Sequence, residues 1–329
     1  MRVAVLIPCF NEAATIADVI VRIRFALPGA DIIVGDNACT DDTADIAKDC
    51  EARVIRESRQ GKGFMVRRMF REVDADWYVL IDGDATYDAP CALEMLRQGR
   101  AGSFDFVNGV RVPQGQVFPP GHAWGNRLIT GAVAAIFGHG VEDMLSGYKV
   151  LSRRFVKSFP ALATGFDLET DLAVHALECG LPIHCVSTPY FSRPEGSHSK
   201  LSTFRDGWRI GRTILALLRH ERPLIFFGAL SLVAAALSLF LMGPILADYL
   251  RTGLVPRFPS AILSMGLMLA SGGFLLTGVV GDAITRGRRE MRMLSYLAQS
   301  VISAQQVEST PAWARAWPIE NQKHRENAA

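Results

Sequence analysis

Residues 3–7 form an unbroken apolar run of five, closed at once by Pro8 and Asn11-Glu12, which predicts a buried strand. The run is too short for the core of a signal peptide. Ile16, Val19, Ile20 and Ile23 then recur on one helical face. Residues 31–36 (DIIVGD) read as a second buried strand, followed by a turn in which Thr40 is the expected helix N-cap, with Asp41 and Asp42 in the first turn. A short strand over 53–56, a helix over 62–73 and a strand over 77–81 lead to Asp82-Gly83-Asp84. Further strands are expected over 104–110, 147–151 and 183–188, with helices over 124–137 and 167–179. Strands alternating with helices imply an α/β fold whose mostly parallel sheet is covered on both faces. Ligands of such sheets lie beyond the carboxyl ends of the strands. Asn11-Glu12, Asp36 and Asp82/Asp84 each follow one of the predicted strands, so three polar clusters are expected on one rim.

Beyond residue 200 the periodicity changes. Over 201–220, Phe204, Trp208, Leu215 and Leu218 share a helical face, and Arg205, Arg209, Arg212 and Arg219 occupy the neighbouring stripe, the pattern of a helix lying in the headgroup plane. Residues 223–247 and 258–281 then run 25 and 24 positions without a charge. About 20 suffice to span a bilayer. The connection 248–257 is too short for a domain, so the two spans read as a hairpin. Arginines crowd both flanks (Arg205 to Arg222, and Arg286, Arg288, Arg289 and Arg292), whereas the hairpin loop carries only Arg251 and Arg257, which predicts a multi-pass inner-membrane protein with both ends cytoplasmic. The expected organisation is an α/β domain over 1–200 that carries the three polar clusters, a juxtamembrane helix over 201–222, two transmembrane helices over 223–284, and a C-terminal segment and tail over 285–329. Removing everything after Arg222 should, on this division, release a soluble first domain.

Composition narrows the partners. With 49% hydrophobic and 21% charged residues the chain is neither disordered nor fibrous, and a net charge of +2 offers nothing to attract nucleic acid. The six cysteines form no CxxC pair and are expected to be reduced, buried and inert. His175 and His184 have no ligand-spaced partner and read as structural. Gly61-Lys62-Gly63 lacks the rest of a P-loop, and no GxGxxG follows the first strand.

Two carboxylates flanking a glycine, as in Asp82-Gly83-Asp84, can approach a hard divalent cation, Mg2+ or Mn2+, whose shell is completed by phosphate and water oxygens. Taken in order, Pro8-Cys9-Phe10-Asn11-Glu12, Asp36, Gln60-Gly61-Lys62-Gly63 and the acid triplet resemble the inverting family 2 glycosyltransferases of GT-A fold. The resemblance implies that Pro8, Asn11, Glu12 and Asp36 hold the base and ribose of a nucleotide-sugar, with Lys62 also on the donor, and that Asp82 and Asp84 hold the metal on its diphosphate. Two departures stand out. Gly35 replaces the first acid of the usual second-strand motif, and Thr86 replaces a frequent glutamine two residues after the triplet.

Gly125-Asn126-Arg127, Ser146-Gly147-Tyr148-Lys149 and the stretch from Arg193 to Lys200 are similar to the polyprenyl-phosphate sugar synthases, the dolichyl- and undecaprenyl-phosphate enzymes. That likeness implies a lipid-phosphate acceptor positioned by Arg127, Arg193 and Lys200, with Arg111 and Ser146 near the donor. Glu169 and Asp171 stand where hydroxyl-directed relatives carry a base; with a phosphate acceptor they orient other groups. The competing readings are a family 2 enzyme acting on a hydroxyl in envelope polysaccharide or glycolipid synthesis, and a non-catalytic membrane scaffold. A processive synthase is opposed by the absence of its glutamine-x-x-arginine-tryptophan motif. Homo-oligomer formation is left open.

Overall fold

The computed structural model describes residues 1–114, 130–131, 133–135, 137, 140–160, 168–192, 215–216 and 218–299. By contact the chain divides into one unit drawn from Met1–Leu201 and Arg292–Ala329 and a second from Ser202–Met291.

In the first unit, β1 (Val3–Cys9), α1 (Ile16–Ala26), β2 (Asp31–Asp36), α2 (Thr43–Asp49), β3 (Arg53–Arg56), α3 (Lys62–Glu72), β4 (Trp77–Leu80) and α4 (Cys91–Ala101) alternate as the hydrophobic pattern predicts. They are followed by β5 (Phe106–Pro113), β6 (Lys149–Ser152), α5 (Arg153–Ser158), α6 (Leu168–Glu178) and β7 (Ile183–Tyr190). The seven strands form one sheet in the order β3-β2-β1-β4-β6-β5-β7. All run parallel except β6, which is antiparallel to both β4 and β5.

β1 lies centrally and is buried on both faces, which is why its sequence is continuously apolar rather than alternating. Val3, Val5 and Ile7 meet Ile16, Val19, Ile20 and Ile23 of α1 in a core that excludes water. Each such side chain contributes about 1.5–3 kcal/mol on burial. β2 and β4 flank β1, so the three predicted polar clusters do follow adjacent strands.

Two local expectations are corrected. α2 begins at Thr43 with Asp42 as N-cap, not at Thr40. Thr40 instead faces Asn11, whose Oδ1 accepts from the Thr40 amide at 2.8 Å and whose Nδ2 donates to Thr40 Oγ1 at 3.1 Å. Only Cys9 and Cys179 are buried among the six free thiols; Cys39, Cys50 and Cys91 are half-buried at turns and helix ends, and Cys185 is half-buried on the edge strand β7.

The first unit is completed by residues far along the chain. Asp105, at the start of β5, is buried and accepts from Ser152 Oγ at 2.5 Å, Arg154 Nη2 at 2.9 Å and Tyr296 Oη at 2.6 Å. Arg292 pairs with Glu178, whose side chain is fully enclosed. Nearby His175, 1% exposed, bonds Ser158 Oγ through Nε2 at 3.0 Å with the Phe155 and Phe159 rings edge-on. His184 stacks on Phe104 at 4.8 Å, so both histidines are structural, as expected.

Burial, and next the charge of Arg292, lower His175 to about 4. Its folded pKa lies below the unfolded value near 6.5, so the unfolded chain takes up the extra proton as the pH falls. Stability is therefore lost between pH 6.5 and 4, by roughly 3 kcal/mol in total. Melting the unmodified chain and His175→Gln across this window should show a steeper loss in the unmodified chain. Equal slopes would refute the assignment.

The second unit holds α7 (Pro223–Thr252) and α8 (Phe258–Leu297) up to Met291; the helices are 30 and 40 residues long, and each is apolar and long enough to cross a membrane. Pro223 opens α7, and Gly253, at φ 68°, closes it in the left-handed conformation. Ser231 and Ser271 share a hydrogen bond at 3.0 Å, and Ser238 and Ser264 one at 3.1 Å, while Leu232, Val233, Leu239 and Phe240 point outward. Small polar groups inside and large apolar ones outside suit a lipid surround.

Candidate active site

The rim forms where β1, β2 and β4 end. Asn11 adopts φ 57° in the turn after β1, held by Thr40 and by its own amide donating to Cys39 Sγ at 3.4 Å. The Glu12 amide donates to Thr43 Oγ1 at 2.9 Å. Asp36 is buried at the end of β2, where its Oδ1 accepts from the Cys39 amide at 2.8 Å and its Oδ2 lies 3.5 Å from Arg56 Nε. Next to it, buried Asn37 accepts from the Gly61 amide at 2.7 Å and donates to the Arg59 carbonyl at 2.7 Å, tying the tip of β2 to the start of α3. The space beside Gly35 is filled by Met65, which explains why no carboxylate precedes Asp36: a Cβ there would lie 2.7 Å from Met65 Cγ.

The acid triplet is rigidly set. Thr15 Oγ1 donates to the Gly83 carbonyl at 2.6 Å. Asp84 is buried, and its Oδ1 accepts from both the amide and the hydroxyl of Thr86, at 3.2 and 2.6 Å. Thr86 therefore aims Asp84. Asp82 faces Gly147, where a Cβ would come within 2.1 Å of its Oδ2, so only glycine permits this approach. Gly147 is fixed in turn by its amide donating to Tyr87 Oη at 2.7 Å.

Lys62, the first residue of α3, reaches Asp82 Oδ1 and Glu169 Oε1, both at 2.5 Å. Burial works against its ammonium, but the two carboxylates outweigh it and hold the pKa above the ordinary lysine range. Glu169 and Asp171 lie in the first turn of α6, the end of a helix that favours negative charge.

Behind this layer sits a buried polar network. Lys149 Nζ donates to Asn108 Oδ1 at 2.7 Å and to the Ser146 carbonyl at 2.8 Å, and burial lowers its ammonium to about 8 against the pull of Glu169 and Asp143. Arg111 forks onto Asp143 at 2.7 and 2.6 Å. Burial opposes Asp143's charge, yet Arg111 keeps its carboxyl below the usual range.

The structure thus brings Pro8, Asn11, Glu12, Asp36, Lys62, Asp82, Asp84 and Glu169 to one end of the sheet. Arg111 and Ser146 belong to the supporting network, with Ser146 fully buried and its Oγ accepting from the Tyr148 amide at 3.2 Å. Arg127, Arg193, Lys200 and most of the expected helices over 124–137 and 201–222 lie outside the described residues, as does the tail. Sequence reasoning did not single out Lys149, Tyr87 or Gly147, although Gly147 and Lys149 stand in the Ser-Gly-Tyr-Lys motif.

Among the described residues no cluster of three or more His, Cys, Asp or Glu is placed to hold a metal alone. Asp82 and Asp84 nonetheless fit Mg2+ or Mn2+: both are hard oxygen donors, such ions take one or two carboxylates and complete their shell with substrate oxygens, and a cation, Lys62, already rests on one of them.

Residues 4–158 match the model of the glycosyl transferase family 2. The chain is 34% identical to the glycosyltransferase AglJ of Haloferax volcanii over 298 residues, covering 88% of this chain and 95% of AglJ. It is 27% identical to a dolichyl-phosphate hexose transferase of the same organism over 223 residues, covering 67% and 95%. Among solved structures, glucosyl-3-phosphoglycerate synthase of Mycobacterium tuberculosis, in complex with Mn2+ and UDP-glucose, aligns with a TM-score of 0.52 at 26% identity, over 66% of this chain and 78% of that one.

Proposed function

Because this chain belongs to glycosyl transferase family 2, we propose that it transfers a sugar from a nucleotide-sugar to a polyprenyl phosphate, with inversion, at the cytoplasmic face of a membrane that α7 and α8 cross. The observation that carries this reading is the convergence of Asp36, Asp82, Asp84 and Lys62 at the strand ends, backed by likeness to a dolichyl-phosphate hexose transferase.

Asp36 and the Asn11-Glu12 turn receive the nucleoside, and Asp82 and Asp84 are the residues that would hold Mg2+ or Mn2+. Bound there, the ion would neutralise charge developing on the diphosphate leaving group. Lys62 adds a cation on the same side, tethered to Glu169, and the bonds from Thr86 to Asp84 are set before substrate arrives. The acceptor phosphate is anionic at neutral pH, so it needs positioning rather than deprotonation. Arg127, Arg193 and Lys200 are assigned to it, because arginine's fork matches phosphate oxygens. Glu169 holds the Lys62 ammonium through Oε1, which fits a role in orienting that cation.

The test is transfer from a panel of radiolabelled nucleotide-sugars to undecaprenyl or dolichyl phosphate, with metal, beside hydroxyl-bearing glycolipid acceptors. Label should enter a product with the anomeric configuration opposite to the donor's and only with the phosphate acceptors. Preferential labelling of the hydroxyl acceptors would overturn the acceptor assignment.

A further inference from the structure

Lys62 occupies an unfavourable place for a cation. It is the first residue of α3, where the helix presents the positive end of its dipole, and the first turn of α3 carries no acidic residue to offset it. Two carboxylates from 20 and 107 residues away hold it instead, each at 2.5 Å and with its side chain only 14% exposed. One is Asp82, half of the carboxylate pair assigned to the divalent ion. The other half, Asp84, takes both hydrogen bonds of Thr86 on Oδ1. The ammonium and a divalent ion thus seek the same carboxylate, and two cations that close repel each other.

We propose that Lys62 is a cation gate: in the unloaded enzyme its ammonium holds Asp82 and Glu169 together and competes with the divalent ion for Asp82. The inference rests on the metal reading of Asp82 and Asp84 given above. Glu169 is the tether that makes the competition reversible. When Lys62 leaves Asp82, its four-carbon stem lets the ammonium stay on Glu169, beside the site, rather than enter solvent. A free ion therefore binds the resting enzyme poorly, and ion and donor load together, the donor's phosphates supplying the oxygens that tip the exchange.

The test is titration of the full-length, detergent-solubilised protein with Mn2+ alone, followed by the electron paramagnetic resonance signal of free Mn2+, for the unmodified chain, Lys62→Met, Asp82→Asn and the double variant. Lys62→Met should bind Mn2+ about tenfold more tightly than the unmodified chain, the loss of a charge-assisted contact that the ion had to displace. In the Asp82→Asn background the same change should alter affinity less than about twofold, since the contested carboxylate is gone. No gain in Lys62→Met, or an equal gain in both backgrounds, would overturn the gate; the second outcome would mean a general charge effect. Sugar transfer by the unmodified chain, measured in parallel, tests the enzymatic reading separately: transfer with no gain on Lys62→Met sinks the gate alone.

Discussion

Asp84→Asn is expected to lower turnover by about a thousandfold or more while the protein still folds, because a carboxylate assigned to the ion on the departing diphosphate loses its charge. Asparagine is the informative substitution. Its side-chain oxygen can still accept from the amide and hydroxyl of Thr86, as Asp84 Oδ1 does now. Alanine would remove the acceptor that both donors now use and add a loss of about 1–3 kcal/mol that has nothing to do with chemistry. Steady-state rates at saturating Mg2+ and Mn2+, with melting curves on the same preparations, separate the two effects. A variant that turns over near the normal rate under those conditions would remove Asp84 from the metal site.

The second large effect concerns where the catalytic unit ends. A chain stopped after Arg222 lacks Arg292 and Tyr296, which the sequence alone assigns to a C-terminal segment and the structure places against Glu178 and Asp105. Losing the arginine that pairs with Glu178 and the hydroxyl that bonds Asp105 is expected to cost about 1–3 kcal/mol, a large share of a typical domain's stability. The shortened protein should therefore melt well below the full-length one and bind nucleotide weakly at 37 °C. In the full chain, Arg292→Ala should reproduce most of this loss and Tyr296→Phe about 1 kcal/mol of it. Thermal unfolding in one detergent decides the matter: a shortened chain with an undiminished midpoint would show that the distant residues are dispensable.

Much of this architecture is written locally. The apolar run of β1 and the helical spacing of Ile16, Val19, Ile20 and Ile23 reflect burial against each other, so pattern alone finds them. The rim is legible for the same reason, since carboxylates directly after buried strands have few other places to go in a parallel sheet. What the pattern misses is pairing across long separations. Nothing near Lys62 announces Glu169, 107 residues away, and nothing near Asp105 announces Tyr296, 191 residues away. Lys149 was hidden by its type, because a fully buried lysine is rare and becomes visible only once Asn108 and the Ser146 carbonyl surround it. Thr40 was misplaced because cap preference competes with a better offer: Asn11, brought alongside by the parallel pairing of β1 and β2, takes its hydrogen bonds.

The contact between Arg292 and Glu178 also sets a timetable for biosynthesis. The two residues are 114 positions apart, with α7 and most of α8 between them. At roughly 5–20 residues per second a ribosome needs on the order of ten seconds to cover that interval. Through that time the nascent catalytic fold has its strands but not its closing residues, and by then α7 and most of α8 have been synthesised. The fold is thus completed only after the apolar segments have been made, so a chain interrupted before Arg292 leaves an unfinished fold for proteases to clear rather than a stray soluble transferase.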